Sequence, residues 1–375
     1  MVRVGDIARI IETIAPPYLA LAGDNCGLQT GSPDGHVGGV LVALDPSPEA
    51  VRRAASAGAN MLVTHHPLFY EPVKRLDPST SNGAAAALAV TKGIAVYSAH
   101  TSLDAAPEGL ARELARLAGL ANIDFFPSIL SERWFKLAVF VPREFRERVH
   151  LAMADAGAGA LGRYDRCAFV TAGEGMFRPL AGSRPAIGKK GRTEKVEEDR
   201  LEMLVEEQAV SGVIGAMKQA HPYEEVAYDL YPLRLPERGG LGCLGSLANM
   251  GFKGLARRLG EQLGAEARIS GKPPGRIRKA AVVPGSGGNY LGLAARLGAQ
   301  ALVTGEVRYH QMLEAEHLGM GIIELGHDRS EMPAVDIMAK ALRQGLAQAE
   351  RKIRVHTYKR PRTARTHGGT KWNRR

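Results

Sequence analysis

Two sets of three short apolar runs, met in the same order, constrain this chain more than any other feature. Gly38 to Leu44, Met61 to Thr64 and Ile94 to Ser98 each read as a buried strand. Helical spacing over residues 5–15, 48–57 and Glu108 to Ala118 accompanies them. Late in the chain the plan returns. Gly58-Ala59-Asn60-Met61-Leu62-Val63-Thr64 has a near copy in Gly298-Ala299-Gln300-Ala301-Leu302-Val303-Thr304. Upstream, Ala280 to Val283 corresponds to Val40 to Ala43; downstream, Gly321 to Leu325 corresponds to Gly93 to Tyr97. Buried strands resemble one another by composition, but matching order and a shared Leu-Val-Thr favour a duplication. Strands that are apolar throughout and alternate with helices predict an α/β layered architecture.

The segment between the repeats follows another plan. Phe135 to Val141 reads as a strand, Arg143 to Ala156 as a helix and Cys167 to Thr171 as a strand. A glycine-rich loop follows from Gly173 to Gly191, then a strand from Arg200 to Val205, a helix from Ala209 to Ala220 and a strand from Val226 to Pro232. That order predicts a ferredoxin-like α+β unit. The expected organisation is one α/β domain in two duplicated halves, residues 1–131 and 237–350, interrupted by an inserted α+β domain over 132–236. A length of 375 residues suits such a division.

The net charge of +10 suggests a nucleic-acid partner until it is localised. Ten Lys and Arg residues and no Asp or Glu lie between Arg351 and Arg375, so that stretch carries the whole excess and the body is neutral. With Pro361, Gly368, Gly369 and no apolar periodicity, residues 351–375 read as a basic, disordered tail. Nucleic-acid contact is expected, if at all, only through it. Cys26, Cys167 and Cys243 are scattered and form no C-x-x-C pair, which argues against a disulfide framework or a thiolate zinc site. No stretch has signal-peptide or membrane-span character, so a cytoplasmic protein without membrane attachment is expected.

Chemistry gathers at the predicted strand ends. Open α/β sheets place their sites beyond the carboxyl ends of the strands. There the sequence puts Thr64-His65-His66-Pro67, then Ser98-Ala99-His100-Thr101-Ser102-Leu103-Asp104, then Gly326-His327-Asp328-Arg329-Ser330-Glu331. Each has a plainer reading: a packed His pair, an Asp capping a turn, an acidic residue at a positive helix end. Together they supply three imidazoles and two carboxylates without a thiolate. Such a set suits two divalent ions of the Zn, Mn, Fe, Co or Ni type, with His65, His66, Asp104, His327 and Glu331 as ligands and Asp104 able to bridge. Gly285-Ser286-Gly287-Gly288-Asn289 reads either as a phosphate cradle or as a tight strand-to-helix turn. Tyr223-Glu224-Glu225 reads as a capped helix end rather than a second site.

These residues also carry a resemblance. Asp24-Asn25-Cys26-Gly27-Leu28-Gln29, the two His-bearing strand ends, Ala105-Ala106, Thr304-Gly305-Glu306-Val307-Arg308-Tyr309-His310 and Gly326-His327 with Ser330-Glu331 together resemble the GTP cyclohydrolase 1 type 2, or Nif3-like, family. The resemblance implies metal ligation by the same five residues and a ring-shaped homohexamer whose sites face an internal cavity. Gly173-Glu174-Gly175-Met176-Phe177-Arg178-Pro179-Leu180 and His221-Pro222-Tyr223-Glu224-Glu225 are similar to CutA and nitrogen-regulatory P-II domains, as in the longer bacterial members. Two departures stand out: Ser102, where members often have Asn, and the basic tail after about residue 350.

The function expected is a metal-dependent hydrolase acting on a purine nucleotide, with ring opening of GTP and release of formate as the specific reaction. Glu306, His310 and His100 are the candidates for moving protons, or else for orienting the ligands. The rival class is a metal-handling or metallochaperone hexamer without GTP turnover. A third is a nucleic-acid binder working through the tail.

Overall fold

The computed structural model describes residues 1–126, 134–161, 164–233 and 239–360. The chain divides into two compact units, Met1–Leu130 with Glu237–Arg375, and Ser131–Pro236.

The larger unit begins with α1 (Val4–Ile14), β1 (Gly27–Thr30), β2 (Gly39–Ala43), α2 (Pro48–Ser56), β3 (Met61–Thr64), α3 (Ser81–Thr91), β4 (Ala95–Ser98), α4 (Thr101–Asp104), α5 (Leu110–Ala118) and β5 (Ala121–Phe125). The smaller unit holds β6 (Trp134–Pro142), α6 (Arg146–Asp155), β7 (Ala168–Phe177), β8 (Glu194–Glu206), α7 (Val210–Ala220) and β9 (Tyr228–Leu233). The larger unit resumes with β10 (Cys243–Gly251), α8 (Phe252–Leu263), β11 (Arg268–Gly271), β12 (Arg276–Val283), α9 (Leu291–Arg296), β13 (Ala301–Thr304), α10 (Tyr309–His317), β14 (Gly321–Glu324), α11 (His327–Glu331), α12 (Pro333–Gln348) and β15 (Arg354–Tyr358).

The larger unit has two sheets, ordered β1-β4-β3-β2-β15 and β11-β14-β13-β12-β10-β5. In each, three strands run parallel (β2, β3, β4 and β12, β13, β14), and an antiparallel strand, β1 or β11, flanks the last of them. The apolar runs have that character because both faces are covered. Successive residues alternate between the faces. Val40, Val42, Met61 and Val63 pack with α1 and α12, while Leu41, Ala43, Leu62 and Val96 pack with α2 and α3. In the second sheet, Ala280, Val282, Ala301 and Val303 face α5 and α8, and Ala281, Val283, Leu302 and Ile322 face α9 and α10. No helix among the described residues is long and apolar enough to cross a membrane.

The smaller unit is a four-stranded antiparallel sheet, ordered β7-β8-β6-β9. Leu137, Val139, Leu201 and Met203 pack against Val149 and Met153 of α6 and Val213 and Met217 of α7. The glycine-rich loop is shorter than the sequence predicts, because β7 runs on through Gly173 and Gly175 to Phe177. A Cβ on Gly175 would lie 2.1 Å from Glu198 Oε2. Glycine is there to let Glu198 lie across the strand and accept from Tyr223 Oη at 2.9 Å, not to make a loop.

The tail expectation needs a second correction. Arg354 to Tyr358 is a strand, paired in parallel with β2 from Gly39 to Ala43. Val355 and Ile353 pack against the α1–α12 core, and Tyr358 packs against the opposite face with the Arg53 guanidinium 4.6 Å above its ring. Charge bias concealed the alternation of a sheet-edge strand. Residues 361–375, and the expected boundaries 131/132 and 236/237, lie outside the described residues.

Candidate metal centre

The strand ends predicted to carry chemistry meet in the larger unit. His65 and His66 follow β3, His100 and Asp104 come from the end of β4 and from α4, and His327 and Glu331 come from α11. Thr64 Oγ1 donates to His66 O at 2.8 Å, and Ser98 Oγ to His65 O at 2.8 Å, which fixes the backbone of the His pair. The matching Thr304 donates to Gly285 O at 3.0 Å and accepts from Gly287 N, and Gly285 N donates to Ser330 Oγ. Two amides of the Gly285–Asn289 segment are thereby committed inside the protein. The segment forms the strand-to-helix turn. Gly285 has φ +60°, and a Cβ there would stand 2.3 Å from Glu331 Oε1, so glycine brings the turn against that carboxylate.

Glu331 is the hub. Its Oε2 lies 2.9 Å from His66 Nε2, and its Oε1 lies 3.2 Å from His327 Nε2 and 4.0 Å from His65 Nε2. Asp104 reaches His65, with Oδ1 3.6 Å from His65 Nε2. Glu331 is thus a carboxylate placed among several imidazoles. Two groups of donors lie close enough to hold an ion: His65 with His66 and His100, and His66 with His327 and Glu331.

One contact suits a bound cation. His65 is fully buried and its Nδ1 lies 3.0 Å from Ala99 O, so Nδ1 bears the proton and Nε2 a lone pair. Asp104 Oδ1 faces that lone pair. Both atoms are buried without a hydrogen-bond partner, and 3.6 Å is too long for a bond between them. Buried acceptors do not stand opposed without something positive between them.

Burial and mutual contacts set the protonation of these groups. Burial pushes His65 down to about 3, so it stays neutral. Burial and the nearby Glu331 charge push Asp104 up to about 7. Burial also works against the Glu331 charge, but hydrogen bonds to His327 and His66 hold this carboxyl well below the usual range. Burial opposes the charge on His66, while hydrogen bonds to Asp45 and Glu331 raise it to about 10. His327 rises to about 9, chiefly through its bond to Glu331.

The three proton-transfer candidates separate. Glu306 Oε1 lies 3.0 Å from His327 Nδ1 and accepts from Ser286 Oγ at 2.9 Å, at the exposed rim. His100 is inside the cluster, its ring centroid 5.3 Å from His65 and 5.6 Å from His66. His310 lies in the first turn of α10, and no contact joins it to the cluster among the described residues. Sequence reasoning missed Asp45, which accepts from His66 Nδ1 at 2.7 Å, and gave no role to Asp24, which accepts from His100 Nδ1 at 2.9 Å. Asp45 was findable: it stands just past the apolar run of β2, as the other site residues stand past theirs.

The chain matches the model of the Duf34/NIF3 (NGG1p interacting factor 3) family over residues 2–362. A Bacillus subtilis protein named "GTP cyclohydrolase 1 type 2 homolog" is 36% identical over 324 residues, 86% of this chain and 87% of that one. A Mycobacterium tuberculosis protein of the same name is 35% identical over 352 residues, covering 91% and 92%. The crystal structure of a Bacillus cereus protein related to NIF3 superposes with a TM-score of 0.68 at 35% identity, over 96% of this chain and 97% of that one. The family match reaches residue 362, so the segment after residue 350 is not wholly outside the family pattern. This chain belongs to the DUF34/NIF3 family.

Proposed function

We propose that this protein is a divalent-metal-dependent hydrolase, with ring opening of GTP and release of formate as its reaction. The observation that carries the metal is the buried, unpartnered pair His65 Nε2 and Asp104 Oδ1. Two ions per chain are read from the number of donors, three imidazoles and two carboxylates without a thiolate, with His66 Nε2 serving one ion alone. His65, His66, Asp104, His327 and Glu331 would hold them. Bound divalent ions supply Lewis acidity at neutral pH in a site of nitrogen and oxygen donors. The purine nucleotide is suggested by the names of the relatives, which say homolog and not enzyme.

The chain's own groups do the rest. Asp45 and Glu306 hold His66 and His327 in one orientation, as carboxylates behind ligating imidazoles do. Glu306 uses one oxygen for this, and its exposed carboxylate is the group we assign to accept a proton from bound substrate.

We read the two sheets as duplicated halves, because β1-β4-β3-β2 and β11-β14-β13-β12 share strand order and directions. We read residues 132–236 as an inserted ferredoxin-like domain similar to CutA and P-II, on its β-α-β-β-α-β order. A closed ring of six copies in the cytoplasm completes the proposal.

Metal-loaded protein should release formate from GTP, and Asp104→Ala should abolish the release. If the protein binds its metal but yields no formate from GTP or other nucleotides, the hydrolase reading fails and metal handling without turnover replaces it.

A further inference from the structure

Four imidazoles, not three, are built alike around the centre. Each turns Nδ1 outward onto an acceptor: His65 onto Ala99 O at 3.0 Å, His66 onto Asp45 at 2.7 Å, His100 onto Asp24 at 2.9 Å and His327 onto Glu306 at 3.0 Å. An outer acceptor of this kind sets the tautomer and orientation of a metal-bound histidine and leaves Nε2 to the metal. His100 has the most heavily braced acceptor of the four. Asp24 has a side chain 2% exposed and accepts also from Thr101 N at 3.1 Å, from Thr101 Oγ1 and from Cys26 Sγ at 3.2 Å. A carboxylate tied at four points cannot swing away from the ring it holds.

One ring nitrogen from each of His65, His66 and His100 lies within 4.8 Å of the others. The hydrogen bond to Asp24 occupies Nδ1, and His100 Nε2 makes no hydrogen bond among the described residues.

We propose that His100 is a sixth protein ligand of the metal centre and that Asp24 is the residue that positions it. This rests on reading the centre as metal-binding, and it takes His100 out of the proton-transfer set. It also gives a use to Asp24 and Cys26 of the Asp24–Gln29 segment, which otherwise lies apart from the predicted ligands.

The test is zinc affinity by chelator competition on the full-length wild type and on His327→Ala, His100→Ala and Asp24→Asn, with the visible spectrum of the cobalt-loaded proteins. His100→Ala is expected to weaken zinc binding by at least tenfold or so, and Asp24→Asn by roughly 10–100-fold, as removal of an outer partner does. Both should shift the cobalt spectrum. If His327→Ala also keeps wild-type zinc, the metal-centre reading itself is wrong. If His327→Ala loses zinc while the other two keep wild-type affinity and spectrum, the present inference alone is overturned. Should either variant fail to fold, carbethoxylation of the wild type decides. Zinc is expected to protect His100, and equal modification with and without zinc would count against ligation.

Discussion

Glu331 is a buried anion whose charge is balanced by protons on its neighbours. His66, raised to about 10, and His327, raised to about 9, are imidazolium at neutral pH, each bonded to that carboxylate. A metal ligand must be a neutral imidazole. On the proposed reading, loading the centre means replacing those protons by a divalent ion. The sign follows. Below about pH 9 protons compete with the metal for His327, and below about pH 10 for His66, so apparent affinity rises as pH rises through neutrality. Zinc titration by calorimetry in buffers of different protonation enthalpy should report proton release near pH 7–8. No release, with affinity flat from about pH 7 to 9, would show that these two imidazoles are not ligands. The ligand candidates were legible in sequence because each follows an apolar run. The outer acceptors were harder to find. Asp24 reaches His100 across 76 residues, and only the finished sheet, with β1 laid beside β4, makes them neighbours.

At the scale of the element, legibility tracks burial. β2, β3, β4, β13 and the inner end of β12 are covered on both faces and announce themselves as unbroken apolar runs. β1, β11 and β15 are edge strands of mixed burial, and their partners are fixed by pairing rather than by composition. β15 is the instructive case. Arg354-Val355-His356-Thr357-Tyr358 lies in the most basic stretch of the chain, yet it completes the first sheet at β2. Its loss would uncover the ladder of a central strand and the apolar contacts of Ile353, Val355 and Tyr358. A chain ending at residue 350 should therefore unfold at a clearly lower temperature than one ending at residue 360. Equal melting temperatures for the two truncations would mean that β15 contributes nothing to the larger unit.

For the whole molecule, the question is how a chain can leave one compact unit, build another and return. The exit and the return are neighbours within the larger unit. β5, the last strand before the departure, pairs antiparallel with β10, the first after it, with Phe125 opposite Cys243. One residue further on, Phe126 N donates to Gly242 O at 2.9 Å. The two ends are thus adjacent strands of one sheet, the geometry that a short connection closes. All six side chains of the proposed centre belong to the larger unit, as do Asp24, Asp45 and Glu306. The smaller unit has its own core, from Leu137 and Val139 to Val213 and Met217. Replacing residues 132–236 by a short polar linker should then leave a folded protein that binds zinc as the full chain does. Light scattering of both proteins tests the ring at the same time: six copies in each case means that the larger unit closes the assembly alone. A shortened chain that folds and binds zinc but is monomeric would move the assembly contacts to the smaller unit. A product that is insoluble or metal-free with every linker length tried would show that residues 132–236 are needed to build the centre, and that they are not an insertion in the physical sense.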